Sequence, residues 1–284
     1  AQWYDTRFGV KLDPKSEVLA LIGSKEGIAN IPEAFVNPGE YVLAADPGYP
    51  VYKTSTLFAE GKCHLMPLLE ENNFLPDYDA IPKDVVRDAK LMFIGYPNNP
   101  TGAVMRREHL EAIADVLRGT DIFVISDEIY DKITFGKEYH SMSKLSSDVP
   151  RIILNGFSKV NLMPGWRMGY GYFQDENGIL EEVKTGLMKQ LRARICPNVP
   201  CQWAAKASLQ GPQDYIIDMN RRLKDRAEYS YKRLNEIPGI STNRTDGAFY
   251  MFPKVELTDW KTDKEFVLDF LQESGVLFVH GSGF

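Results

Sequence analysis

The stretch Lys90-Leu-Met-Phe-Ile-Gly-Tyr96, running straight into Pro97-Asn-Asn-Pro-Thr-Gly102, decides the fold. Its apolar run shows no polar alternation, which describes a strand covered on both faces, as in a parallel sheet. Three other runs repeat the pattern. Tyr41 to Ala45 precedes Asp46-Pro-Gly-Tyr-Pro50, Asp121 to Ser126 precedes Asp127-Glu-Ile-Tyr130, and Arg151 to Asn155 precedes Gly156-Phe-Ser-Lys159. Between the second and third strands in chain order, Leu110, Ile113, Ala114 and Leu117 recur at the spacing of an amphipathic helix, which makes a strand–helix–strand unit. The expected class is α/β, with a mostly parallel sheet sandwiched by helices.

A second rhythm follows. Asp214 to Glu236, bracketed by Pro212 and Pro238-Gly239, reads as one long helix. Gly247 to Pro253 is then a predicted strand, Asp263 to Ser274 a helix and Val276 to Val279 another strand. The expected division is a large domain over residues 1–212 and a smaller α/β domain over 213–284.

Composition narrows the function. The 284 residues carry a formal charge of −6, which argues against a nucleic-acid-coating surface or a polybasic membrane anchor. With 44% apolar and 25% charged residues, the chain matches folded globular domains. Its longest apolar runs fall far short of the roughly 20 residues of a membrane helix. Cys63, Cys196 and Cys201 form no CxxC pair and read as free thiols of a reducing, cytoplasmic compartment. His64, His109, His140 and His280 are scattered, so no metal site is expected. The chain opens on Ala1 without a secretory pattern and ends on Gly281-Ser-Gly-Phe284, and both ends are expected to be cut from a longer polypeptide.

Ligands of open parallel sheets bind beyond the carboxyl ends of the strands. Asn99, Asp127 and Lys159 each follow a predicted strand, and their spacings of 28 and 32 residues suit one strand–crossover unit each. An exposed lysine, with a pKa of about 10.4, is a poor nucleophile. Burial and a neighbouring cation such as Arg167 would release its amine for imine chemistry. Pyridoxal phosphate fits such a set, because its ring nitrogen needs a carboxylate and its phosphate needs donors and positive charge. Gly23-Ser-Lys-Glu-Gly-Ile28 adds a glycine-flanked helix start suited to phosphate. Neither a nucleotide P-loop nor a GxGxxG dinucleotide fingerprint is present.

Five ordered motifs now stand together: Gly23-Ser-Lys-Glu-Gly27, Pro47-Gly-Tyr-Pro50, Tyr96-Pro-Asn-Asn-Pro-Thr-Gly102, Ser126-Asp-Glu-Ile-Tyr130, and Ser158-Lys159 with Arg167-Met-Gly-Tyr170. The whole chain thereby resembles the class I/II pyridoxal-phosphate aminotransferases of fold type I. The resemblance implies that Lys159 carries the cofactor as a Schiff base and moves the proton between substrate Cα and cofactor C4′. It implies that Asp127 pairs with the ring nitrogen, that Asn99 and Tyr130 bind the ring's 3′-oxygen and that Tyr49 stacks on the ring. Ser24, Lys25, Ser158 and Arg167 would surround the phosphate. Gly156 departs from the hydroxyl residue that many relatives carry there, which puts one phosphate hydrogen bond in doubt.

The front, through about Val104, resembles LL-diaminopimelate-type enzymes in Leu21-Ile-Gly-Ser-Lys-Glu-Gly-Ile28 and Phe35-Val-Asn-Pro-Gly39, while the back resembles archaeal alanine aminotransferases in stretches such as Arg194-Ile-Cys-Pro-Asn198, Gly247-Ala-Phe-Tyr250 and Val276-Leu-Phe-Val-His-Gly-Ser-Gly-Phe284. The implied function is transfer of an amino group from an L-amino acid, alanine first, to 2-oxoglutarate in two half-reactions. LL-diaminopimelate, aspartate and aromatic aminotransferases, a β-lyase and a pyridoxal-phosphate-binding regulator are the alternatives. The partners implied are small amino and oxo acids and a second copy of the chain, with no nucleic acid and no membrane. Arg194 and Asn198 would either reach the second subunit's site or serve the chain's own structure. The arginine that binds the substrate α-carboxylate in relatives would lie beyond Phe284, and the amino-terminal pocket segment before Ala1. The 284 residues alone are therefore expected to bind cofactor with little turnover.

Overall fold

The apolar runs of the sequence form the middle of one sheet. The structure, a computed structural model, describes residues 1–145, 148–175 and 177–284. In chain order its elements are α1 (Gln2–Phe8), β1 (Val18–Leu21), α2 (Ser24–Phe35), β2 (Tyr41–Asp46), α3 (Val51–Phe58), β3 (Lys62–Pro67), α4 (Lys83–Asp88), β4 (Ala89–Gly95) and α5 (Arg107–Leu117). There follow β5 (Phe123–Asp127), β6 (Arg151–Gly156), β7 (Gly169–Gln174), α6 (Glu181–Ala193), α7 (Val199–Gln210), α8 (Asp214–Asn235), β8 (Ile240–Ser241), β9 (Lys254–Val255) and α9 (Asp263–Ser274).

The main sheet has seven strands in the order β1-β7-β6-β5-β4-β2-β3. From β3 through β6 all neighbours are parallel, while β7 runs antiparallel to both β6 and β1. The fold is α/β with a mostly parallel sheet, as the continuous runs require. Along β4, Leu91 and Phe93 face one core while Met92 and Ile94 face the other. The first core is closed by Ile28 and Ile31 of α2 and by Val183, Leu187 and Leu191 of α6. The second is closed by Leu110, Ile113, Ala114 and Leu117 of α5 together with Tyr4 of α1. With helices on both faces, both side-chain sets of each central strand must be apolar. Each such fully buried side chain contributes about 1.5–3 kcal/mol.

Two expected strands do not form. Gly247–Pro253 makes only an isolated bridge from Gly247 to Thr134, and the short antiparallel pair is β8 with β9 instead. Ala248 has a φ of 56°, a left-handed conformation that breaks an extended run. Val276–Val279 has no ladder partner among the described residues, and Leu277 and Val279 are exposed. Helix α9 matches its expected span, and α8 ends one residue early, at Asn235.

Candidate active site

Every site residue expected from the sequence lines one cleft of about 310 Å³ at the carboxyl ends of β2, β4, β5 and β6. Asp127 is the last residue of β5 and is buried. Its Oδ2 accepts from the Tyr52 hydroxyl at 3.3 Å and its Oδ1 from the Ile129 N–H at 3.4 Å. Burial pushes its carboxyl up to about 6, against the pull of those two donors and of the Lys159 ammonium. Lys159 stands three residues past β6, half-buried, with its Nζ 5.6 Å from the Tyr130 ring centre and 5.3 Å from that of Phe249. Its pKa is lowered, first by burial and then by the charges of Lys25 and Arg167, while Asp127 pulls the other way. The amine is thus eased toward its neutral, nucleophilic form.

Asn98, and not Asn99, performs the turn chemistry after β4: its Oδ1 accepts from the Thr101 N–H at 3.1 Å and from the Thr101 hydroxyl at 2.7 Å. Asn99 is left to face the cleft, and its buried Oδ1 has no hydrogen-bond partner among the described residues. Tyr130 is buried and meets the Tyr250 hydroxyl at 2.5 Å. At the other end of the cleft, Ser24 begins α2, so backbone N–H groups of a helix start open there. Lys25 lies 5.3 Å from the Tyr49 ring centre. Arg167 is anchored by Nη1 to the Pro164 carbonyl at 2.8 Å and by Nη2 to the Ile22 carbonyl at 2.9 Å. Ser158 completes this end. A Cβ at Gly156 would lie 3.0 Å from the Met168 carbonyl oxygen and 3.1 Å from the Gly169 Cα, so the chain entering β7 crowds this position.

Two hydroxyl-bearing residues of the cleft, Tyr52 and Tyr250, are not among the site residues expected from the sequence. Tyr52 stacks on Phe93 at 4.6 Å and 12°, and its hydroxyl occupies space that a Cβ at Gly95 would need, 2.4 Å away. Its spacing of three from Tyr49, across a turn into a helix, was the available signal. Tyr250 arrives from the later block, and nothing local in the sequence ties it to Tyr130. Arg194 and Asn198 serve their own surroundings. Arg194 pairs with Glu26 at 2.6 Å and reaches the Ala20 carbonyl, while Asn198 caps α7 by accepting from the Cys201 N–H.

The whole chain, residues 1–284, matches the family described as aminotransferase class I and II. It belongs to that family. An LL-diaminopimelate aminotransferase of Syntrophobacter fumaroxidans is 39% identical over 289 residues, covering all of this chain and 72% of that protein. The solved structure of an alanine aminotransferase from Pyrococcus furiosus is 44% identical with a TM-score of 0.94, covering 99% of this chain and 72% of that one. An aromatic aminotransferase from Pyrococcus horikoshii is 32% identical with a TM-score of 0.90, covering 100% of this chain and 75% of that one.

Aminotransferases of this class use pyridoxal 5′-phosphate, and the cleft fits it. Among the described residues, a buried amide oxygen without a partner, a buried carboxylate with no cation in hydrogen-bonding contact and an eased lysine meet at one end, with a helix start and an anchored arginine at the other. No helix among the described residues is long and apolar enough to cross a membrane.

Proposed function

We propose that this aminotransferase takes the amino group of L-alanine and passes it to 2-oxoglutarate, with Lys159 as its proton-moving base. Bound pyridoxal phosphate supplies an electron sink that makes the substrate Cα proton acidic. Lys159 would hold the cofactor, and its amine would take the proton from the substrate Cα. Asp127 would hold positive charge at the ring nitrogen. Asn99 and Tyr130 would hold the ring oxygen, Tyr49 would cover the ring face, and Ser24, Lys25, Ser158 and Arg167, which line the same cleft, would bind the phosphate. The observation that carries these roles is the meeting, in one cleft, of a buried carboxylate and a lysine eased toward neutrality.

The preference for alanine is supported by the higher identity to the archaeal alanine aminotransferase, 44% against 35% to 40% for the LL-diaminopimelate enzymes. The second reading, LL-diaminopimelate as donor, is supported by several relatives of that name. We further infer a homodimer working in the cytoplasm, with the chain divided at 212/213. Exposed apolar side chains beside the cleft support the dimer: Leu162 and Trp166 on its rim loop, and Val199 and Trp203 on α7.

Holoprotein mixed with L-alanine alone should lose the visible absorption of bound cofactor, and 2-oxoglutarate should restore it. A response to LL-diaminopimelate with none to alanine would transfer the assignment to the second reading. Lys159→Ala should abolish the lysine-linked absorption while cofactor still binds; its survival would remove Lys159 from the role.

A further inference from the structure

The segment from Thr245 to Tyr250 is fixed to two other parts of the site by its backbone. Asp246 and Gly247 donate their N–H groups to the Gly102 carbonyl, at 3.1 and 2.9 Å. Ala248 donates to the Ile133 carbonyl at 2.9 Å, and Phe135 donates to the Asp246 carbonyl at 2.8 Å. The packing is close. Gly102 has a φ of +74°, and a Cβ there would fall 1.7 Å from the Thr245 Oγ1, so only glycine fits this turn. Ala248 is fully buried in a left-handed conformation that an alanine adopts at a cost. The Gly102 turn carries Asn99, and the Ile133–Phe135 stretch follows Tyr130. One segment therefore ties together the two groups assigned to the cofactor's ring oxygen.

What this anchoring delivers is Tyr250, which lines the cleft with its hydroxyl 2.5 Å from that of Tyr130 and its ring edge-on at 5.7 Å. A phenol has one proton to donate and lone pairs to accept. Either hydroxyl can donate this bond; with a cofactor oxygen taking the Tyr130 proton, Tyr250 is the one that donates to the Tyr130 oxygen, and the accepted bond makes Tyr130 a stronger donor. Burial and the neighbouring carboxylate and phenols keep the Tyr130 hydroxyl protonated, so it remains a donor at every working pH.

We propose that Tyr250 is a positioning residue of the aminotransferase site, acting through Tyr130 to set the charge held at the cofactor's ring oxygen. The proposal rests on the assignment of Tyr130 made above. A weaker bond from Tyr130 stabilises negative charge on that oxygen less, which raises the proton affinity of the bound chromophore.

The test is a pH titration of the visible absorption of holoprotein in wild type, Tyr250→Phe, Tyr130→Phe and the double variant. Tyr250→Phe should keep its cofactor and its melting temperature within a few degrees while its midpoint rises by about half a unit or more, a threefold change in proton affinity. In the Tyr130→Phe background the same substitution should add nothing, because the route is gone. An unchanged midpoint, or an equal shift in both backgrounds, would overturn the coupling through Tyr130. A wild-type protein without any cofactor absorption that depends on Lys159 would instead bring down the underlying assignment.

Discussion

Asp127 couples the chemistry of the site to its pH dependence. Its folded carboxyl, pushed to about 6, lies above its ordinary value of 3.8 because burial disfavours the anion. The stability tied to this group is therefore complete below about pH 4 and is lost as the pH rises through 6, where a buried carboxylate forms without a paired cation. A protonated cofactor ring would supply that cation. Saturating pyridoxal phosphate should accordingly raise the melting temperature more at pH 7.5 than at pH 5. Asp127→Asn should flatten this difference and slow transamination by about 10²- to 10³-fold, the scale of one lost charge-stabilising contact. The asparagine variant keeps the phosphate contacts, so the ionisation of the phosphate itself remains in both measurements. An undiminished pH difference in the variant would sever Asp127 from the cofactor.

At the scale of elements, the site is a set of strand ends, and their placement makes β4 a sensitive position. Gly95 ends β4 beneath Tyr52, whose hydroxyl would sit 2.4 Å from a new Cβ while bonded to Asp127. Gly95→Ala should push the ring away, leaving Asp127 without its phenol donor. Loss of that hydrogen bond to a charged group, about 1.5–3 kcal/mol, should weaken cofactor affinity by at least tenfold in equilibrium dialysis. If affinity is unchanged while the protein remains folded, Tyr52 does not hold Asp127. Elements of this kind were legible where burial on both faces forced uninterrupted apolar runs, as in β2, β4, β5 and β6. Because Asn99, Asp127 and Lys159 follow those runs directly, their meeting was legible too. Local sequence does not encode an element whose backbone partners come from afar. Gly247 and Ala248 bond to Gly102 and Ile133, so an apolar run that resembled a strand became a turn. Tyr250 joins Tyr130 across 120 residues of sequence, a contact that no local pattern encodes.

For the whole molecule, the arrangement of exposed apolar groups bears on assembly. Helix α7 packs on the loop before β7 through Cys201 and Ala205 against Met163, Phe157 and Met168. The same two pieces turn Trp203, Leu162, Val199 and Trp166 outward, with relative exposures of 67, 63, 53 and 49%. Isolated exposed apolar residues are ordinary, whereas two tryptophans and two aliphatics on adjoining elements form a patch of the kind that marks an interface. Pro164 and Arg167 of that loop also line the cleft, so a subunit covering the patch would border the phosphate end of the site. Trp203→Asp leaves the core contacts of α7 untouched, because the indole faces outward. Buried tryptophans at interface centres cost about 2 kcal/mol or more when removed, so the variant should dimerise about 30-fold more weakly. If the proposed homodimer forms through this patch, light scattering across a dilution series should show the variant as monomer at concentrations where the wild type is dimeric, with an unchanged circular dichroism spectrum. Cofactor retention should fall in step with the dimer, since the patch and the phosphate end share one loop. A variant that dimerises as well as wild type would place the subunit contact elsewhere on the molecule.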